Sequence, residues 1–138
     1  MIEGKQFIST VEKYFNFIIS EYSFTLLKEK ISGNAYYDVQ YRDKTRIISV
    51  SYENIEDYFL VIIYILQDNN LPSYDDKTKT LHLNLLNSII LPLLDNDEIK
   101  LNNIFFTNFF ANNEFEKRLL KSAKELRICL NHFDEIIK

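Results

Sequence analysis

Between residues 35 and 52 the chain reads AYYDVQYRDKTRIISVSY, two alternating runs joined by four polar residues. Tyr37, Val39 and Tyr41 fall on one side of the first run, and Ile48, Val50 and Tyr52 on one side of the second. This is the period of two that strands show. With Arg42-Asp43-Lys44-Thr45 as the connection, the spacing predicts an antiparallel hairpin whose six apolar residues share a buried face. Across the pleat stand Tyr36, Asp38, Gln40, Ile47, Ser49 and Ser51, which are mostly polar and predict a second face in contact with water.

On the amino-terminal side, Phe24 to Ile31 reads as another strand, ended by Ser32-Gly33-Asn34, whose Gly and Asn tolerate the positive φ of a tight turn. Before it, Phe7, Ile8, Val11, Tyr14, Phe15, Ile18, Ile19 and Tyr22 recur at three- and four-residue steps, which predicts one amphipathic helix from Lys5 to about Glu21. On the carboxyl-terminal side, Glu53 to Asp57 is an acidic connection. Tyr58 to Leu66 follows as a nine-residue run, β-branched and aromatic, that reads as a fourth strand in the interior of the sheet. Leu71 to Thr80, with Pro72 and Asp75-Asp76, reads as a loop. Leu81 to Leu93 returns to helical spacing and should end or kink at Pro92. Asp95 to Glu98 is a polar break, and Ile99 to Ala111 fits either a short helix or buried irregular chain. Asn113 with Glu116 resembles a capping box opening a last helix with Phe115, Leu119, Leu120, Ala123, Leu126, Leu130, Phe133 and Ile137 on its core face. The order predicts a single α+β domain over residues 1–138: an N-terminal helix, an antiparallel sheet of about four strands, and C-terminal helices packed on the sheet.

Composition agrees with one globular unit. Of 138 residues 46% are hydrophobic and 26% charged, and 18 Ile, 17 Leu and 11 Phe supply a core without disulfides. The lone Cys129 suits a reducing interior. The first residues lack a secretion signal and the longest apolar run is far shorter than a membrane span, so the expectation is a cytoplasmic protein with no membrane partner. The net charge of −4 is unevenly placed, since residues 53–99 alone carry −7. Clustered negative charge disfavours nucleic acid and suits a basic protein partner, although acidic residues also collect in solvated loops.

Reactive motifs are scarce. His82 and His132 stand fifty residues apart, outside any helical metal-ligand spacing, and two glycines cannot build a phosphate loop. Asp95, Asp97 and Glu98 share a turn but lack the glycine and distal glutamate of a calcium loop. Cys129 and His132 are three residues apart on one helix, with no orienting carboxylate identifiable from sequence. Tyr41-Arg42 and Lys44 to Arg46 place aromatics beside cations, but Asp38 and Asp43 offset the charge. No catalytic residue, cofactor or metal is expected.

The opening helix Phe7 to Ile19, the phrase Tyr22-Ser23-Phe24, and Val39-Gln40-Tyr41 with Ile48-Ser49-Val50-Ser51-Tyr52 followed by an acidic connection resemble small α+β immunity proteins of bacterial polymorphic toxin systems. The resemblance covers residues 5–66 in order and texture, and implies a non-enzymatic protein that binds and neutralises a cognate toxin. A basic toxin domain would then meet Asp57, Asp68, Asp75, Asp76, Asp95, Asp97 and Glu98 as partner-binding residues. Two alternatives are a small-ligand-binding protein or small enzyme, with Tyr37, Tyr41, Tyr52 and Tyr64 lining a pocket between sheet and helices, and a homodimer joined through Phe59 to Ile65.

Overall fold

A computed structural model of the chain describes residues 2–136; Ile137, expected on the core face of the last helix, lies outside them. The chain divides into two compact units, Met1–His82 and Leu83–Lys138. In the first, helices α1 (Gly4–Tyr14) and α2 (Phe17–Ser20) precede strands β1 (Thr25–Ser32), β2 (Tyr36–Arg42), β3 (Arg46–Glu53), β4 (Tyr58–Ile65) and β5 (Thr80–His82). The strands pair in chain order, each antiparallel to the next. The class is α+β as predicted, with five strands in place of four. The added strand is short: Thr80, Leu81 and His82 pair with Tyr64, Ile63 and Ile62, and three residues carry no periodicity of their own.

The expected hairpin is β2 with β3. Tyr37 stands opposite Tyr52, Val39 opposite Val50 and Tyr41 opposite Ile48, and all six are buried. Asp43 shapes the turn, accepting the backbone N–H groups of Thr45 (3.0 Å) and Arg46 (2.7 Å) and two bonds from the Arg46 guanidinium. Helix α1 covers this face with Phe7, Ile8, Val11 and Tyr14. The Phe7 ring lies 5.7 Å from that of Tyr37, 6.0 Å from Tyr52 and 6.4 Å from Phe59. Gly4 permits the approach, because a β-carbon there would lie 2.9 Å from Ile31 Cγ2 and 3.0 Å from Tyr37 Cε1.

Two expectations are corrected here. The helix predicted over Lys5 to Glu21 is broken at Phe15 and Asn16. Residues two apart in a helix point to opposite sides, whereas Phe15 and Phe17 are both buried with ring centroids 6.1 Å apart; the break satisfies both. The second face of the hairpin is also not wet, since Asp38, Ile47, Ser49 and Ser51 are buried. Their polar atoms are satisfied internally: Ser49 Oγ donates to Asp38 Oδ1 (2.7 Å) and Gln40 Nε2 donates to Asp38 Oδ2 (2.8 Å).

In the second unit, α3 (Leu83–Ile90) runs into a 3₁₀ turn, Leu91–Leu93, at Pro92 as expected. It is followed by α4 (Asn96–Phe105), α5 (Glu114–Asn131) and α6 (Phe133–Ile136). The polar break Asp95 to Glu98 is in fact the start of α4: Asp95 Oδ1 accepts the Glu98 N–H at 2.8 Å. Asn113 caps α5 in the same way, through Glu116 N–H at 2.8 Å, and the Glu116 carboxylate accepts the backbone N–H of Asn112. The predicted core face of α5, from Phe115 to Leu130, is buried, as is Phe133 of α6. Buried Asn102 links α4 to α5, donating to the Lys124 carbonyl (3.0 Å) and accepting from Arg127 (2.9 Å).

Candidate interaction surface

The seven carboxylates expected to meet a partner divide between the units: Asp57, Asp68, Asp75 and Asp76 in the first, Asp95, Asp97 and Glu98 in the second. Four of them have structural work. Asp57 sits at a positive φ of 52° in the β3–β4 turn and accepts the Tyr52 hydroxyl at 2.6 Å. Asp76 accepts the backbone N–H (3.0 Å) and hydroxyl (2.7 Å) of Thr78, bonds that hold its carboxyl below the usual carboxylate range. Asp95 caps α4, and Glu98 hydrogen-bonds to His132. Asp68, Asp75 and Asp97 are exposed. Asp95→Ala is therefore expected to lower the stability of α4 by about 1 kcal/mol whatever it does to binding, read as faster amide exchange over Asn96–Phe105.

Cys129 and His132 do not form a nucleophilic pair. Cys129 is fully buried, and burial, with Glu125 nearby, pushes its thiol up to about 12, so it stays protonated. His132 bonds Glu135 through Nδ1 (2.7 Å) and Glu98 through Nε2. The bond to Glu135 does most to raise its pKa; burial opposes the rise, and the bond to Glu98 and the charges of both carboxylates add to it. A pKa raised in the folded state stabilises below the unfolded value of about 6.5 and loses that contribution as pH climbs through the folded value. The second unit should therefore lose stability as pH rises from about 6.5 through the folded value. Denaturant midpoints recorded across that interval should fall for the wild type and stay level for His132→Gln.

Of the tyrosines expected to line a pocket, Tyr37 donates to the Ile2 carbonyl (2.7 Å) and Tyr52 to Asp57. Burial first, and then the Asp38 carboxylate, raises the pKa of both Tyr64 and its neighbour Tyr36. Tyr41 differs: it is buried, its hydroxyl has no hydrogen-bond partner, and it lines a cleft of about 310 Å³ with Glu12, Asn16, Ile19, Leu26 and Glu29. A wider groove of about 730 Å³ lies beside the β2–β3 turn, where Arg42 donates to Asn69 and Arg46 is tied to Asp43 over the Phe24 ring. These intramolecular bonds occupy Arg42 and Arg46, two of the cations that sequence placed beside aromatics.

The surface that sequence reasoning missed is β1. It forms one end of the sheet and is exposed at all eight positions, with Leu26 44%, Leu27 47% and Ile31 46% exposed. Phe59 to Ile65, considered above as a dimer face, lies in β4, an inner strand between β3 and β5 on which Val61, Ile62 and Ile63 are buried. Among the described residues no helix is long and apolar enough to cross a membrane, and no three His, Cys, Asp or Glu side chains gather as a metal site requires. No protein-family model, curated protein or solved structure matches this chain.

Proposed function

We propose that this chain is a non-enzymatic protein-binding module, an immunity-type protein that binds and neutralises a cognate toxin in the bacterial cytoplasm. The observation that carries the reading is the edge strand β1, which among the described residues pairs only with β2 and leaves Leu26, Leu27 and Ile31 on the surface. Exposed strand edges invite pairing with other chains; the charges of Lys28, Glu29 and Lys30 blunt the middle of β1, and Leu26, Leu27 and Ile31 flank them as exposed aliphatic surface. An extended segment of a partner laid along β1 would bond its backbone and cover its aliphatic side chains. Asp68, Asp75 and Asp97 add negative charge that speeds encounter with a basic partner.

The test uses the product of the gene immediately upstream, purified and mixed with this protein, alongside co-expression in cells. A stable complex and survival of the co-expressing cells are expected. Leu27→Asp should weaken the complex about tenfold, because it places a charge against a desolvated interface, while leaving the thermal midpoint within a few degrees of wild type. Absence of both complex and protection would overturn the immunity reading. A second reading, a small-ligand-binding protein, is favoured by one observation, the unpartnered hydroxyl of Tyr41.

A further inference from the structure

The cleft beside Tyr41 is built by an irregularity in β1. The register to β2 shifts between Leu26 and Lys28: Leu26 faces Tyr41, Lys28 faces Gln40 and Glu29 faces Val39. Val39 and Tyr41 belong to the face that α1 covers, so Leu26 and Glu29, three residues apart, share it. In an uninterrupted strand Lys28 would take that place and Glu29 would project from the opposite face. Bulges re-aim side chains in this way beside functional sites. From the helical side Glu12, in the last turn of α1, and Asn16 and Ile19 just beyond it complete the wall.

The polar groups of the cleft lack a cation. Glu12 and Glu29 both line the cleft, and the interaction with Glu29, together with burial, raises the Glu12 pKa. Tyr41 is 1% exposed with its hydroxyl unpartnered, and its pKa is raised by burial and then by the same two carboxylates. Most buried hydroxyls have a partner in the fold, and a phenylalanine would fill the same volume without one.

We propose that this cleft binds a primary alkylammonium group, whose N–H bonds reach the Glu12 and Glu29 carboxylates and the Tyr41 hydroxyl oxygen while its aliphatic stem lies along Ile19 and Leu26. The bound ammonium offsets the repulsion between the two carboxylates. The volume of about 310 Å³ holds a chain of a few carbons. A divalent metal would want six or more oxygen ligands or a third carboxylate or imidazole; no such trio gathers among the described residues. The same chemistry is offered by a free aliphatic amine and by a lysine side chain of a polypeptide.

The experiment titrates the ¹⁵N-labelled chain at low ionic strength with n-butylammonium chloride, using n-butanol and sodium butyrate as controls. Low salt is chosen because Glu12 and Glu29 are open to solvent and their attraction is screened. Saturable amide shifts confined to Glu12, Asn16, Ile19, Leu26, Glu29 and Tyr41, seen with the amine alone, are expected. Tyr41→Phe should weaken binding about tenfold and Glu12→Gln with Glu29→Gln by more, as expected for lost hydrogen bonds to a charged group; the spectra themselves report whether each variant is folded. Equal shifts with butanol, no saturable shift, unchanged affinity in folded Tyr41→Phe, or displacement of the amine by calcium chloride would each overturn the proposal. Putrescine and N-acetyl-lysine N-methylamide form the second arm: tighter binding of the diamine supports a free amine as the source, and tighter binding of the lysine analogue supports a polypeptide.

Discussion

Phe7→Ala is expected to destabilise the first unit by about 3–5 kcal/mol, the usual cost of truncating a fully buried aromatic ring. Phe7 has no exposed surface, and its ring meets Tyr37 on β2, Tyr52 on β3 and Phe59 on β4, so it is the point at which α1 engages three strands at once. Removing it deletes the aromatic contacts and leaves a void between rigid rings that have little freedom to collapse. Domains are stable by about 5–15 kcal/mol in total, so the loss is a fifth or more of what is available. Urea denaturation followed by circular dichroism would measure it, since the chain has no tryptophan. Amide exchange should accelerate across β2 and β3. Phe7→Leu, which refills most of the volume, should recover more than half of the loss.

Leu126→Ala is the corresponding expectation for the second unit, at about 2–5 kcal/mol. Leu126 is fully buried near the middle of α5, on the face shared with Leu119, Ala123 and Leu130. Alanine is the better helix former by propensity, so a loss of this size could only come from packing. Amide exchange within α5 is the direct readout, and protection there should fall by about one and a half to three and a half orders of magnitude, at about 1.4 kcal/mol per factor of ten. An exposed site on the same helix, Lys121→Ala, should leave it within a few tenths of a kcal/mol.

The fold was legible where one kind of pattern ruled. The alternation from Tyr37 to Tyr52 named all six residues of the buried face, and Asn113 with Glu116 located the start of α5 to the residue. It was illegible where tertiary packing overruled local signals. Nothing in Phe15-Asn16-Phe17 is a helix breaker, yet two rings that both need burial interrupt the helix there. Asp38, Ser49 and Ser51 look like a solvated stripe, because a sequence displays polarity and hides hydrogen-bond partners. The acidic residues show the same limit: Asp95 reads as charge and acts as a helix cap, and Asp57 reads as charge and accepts a hydrogen bond from the Tyr52 hydroxyl. The cleft at Tyr41 was half visible. Tyr41 stood among the expected lining residues, but Glu12 and Glu29 meet only because of a register shift that leaves no mark in composition.

The sequential pairing of β1 through β5 bears on how fast the sheet assembles. Each strand finds its neighbour across a short connection, apart from the longer segment before β5, so little loop-closure entropy is lost before each ladder begins to form. Folding rates track the mean separation of contacting residues along the chain. This sheet should therefore fold quickly for its β content, with the hairpin of β2 and β3 able to zip as soon as both have left the ribosome.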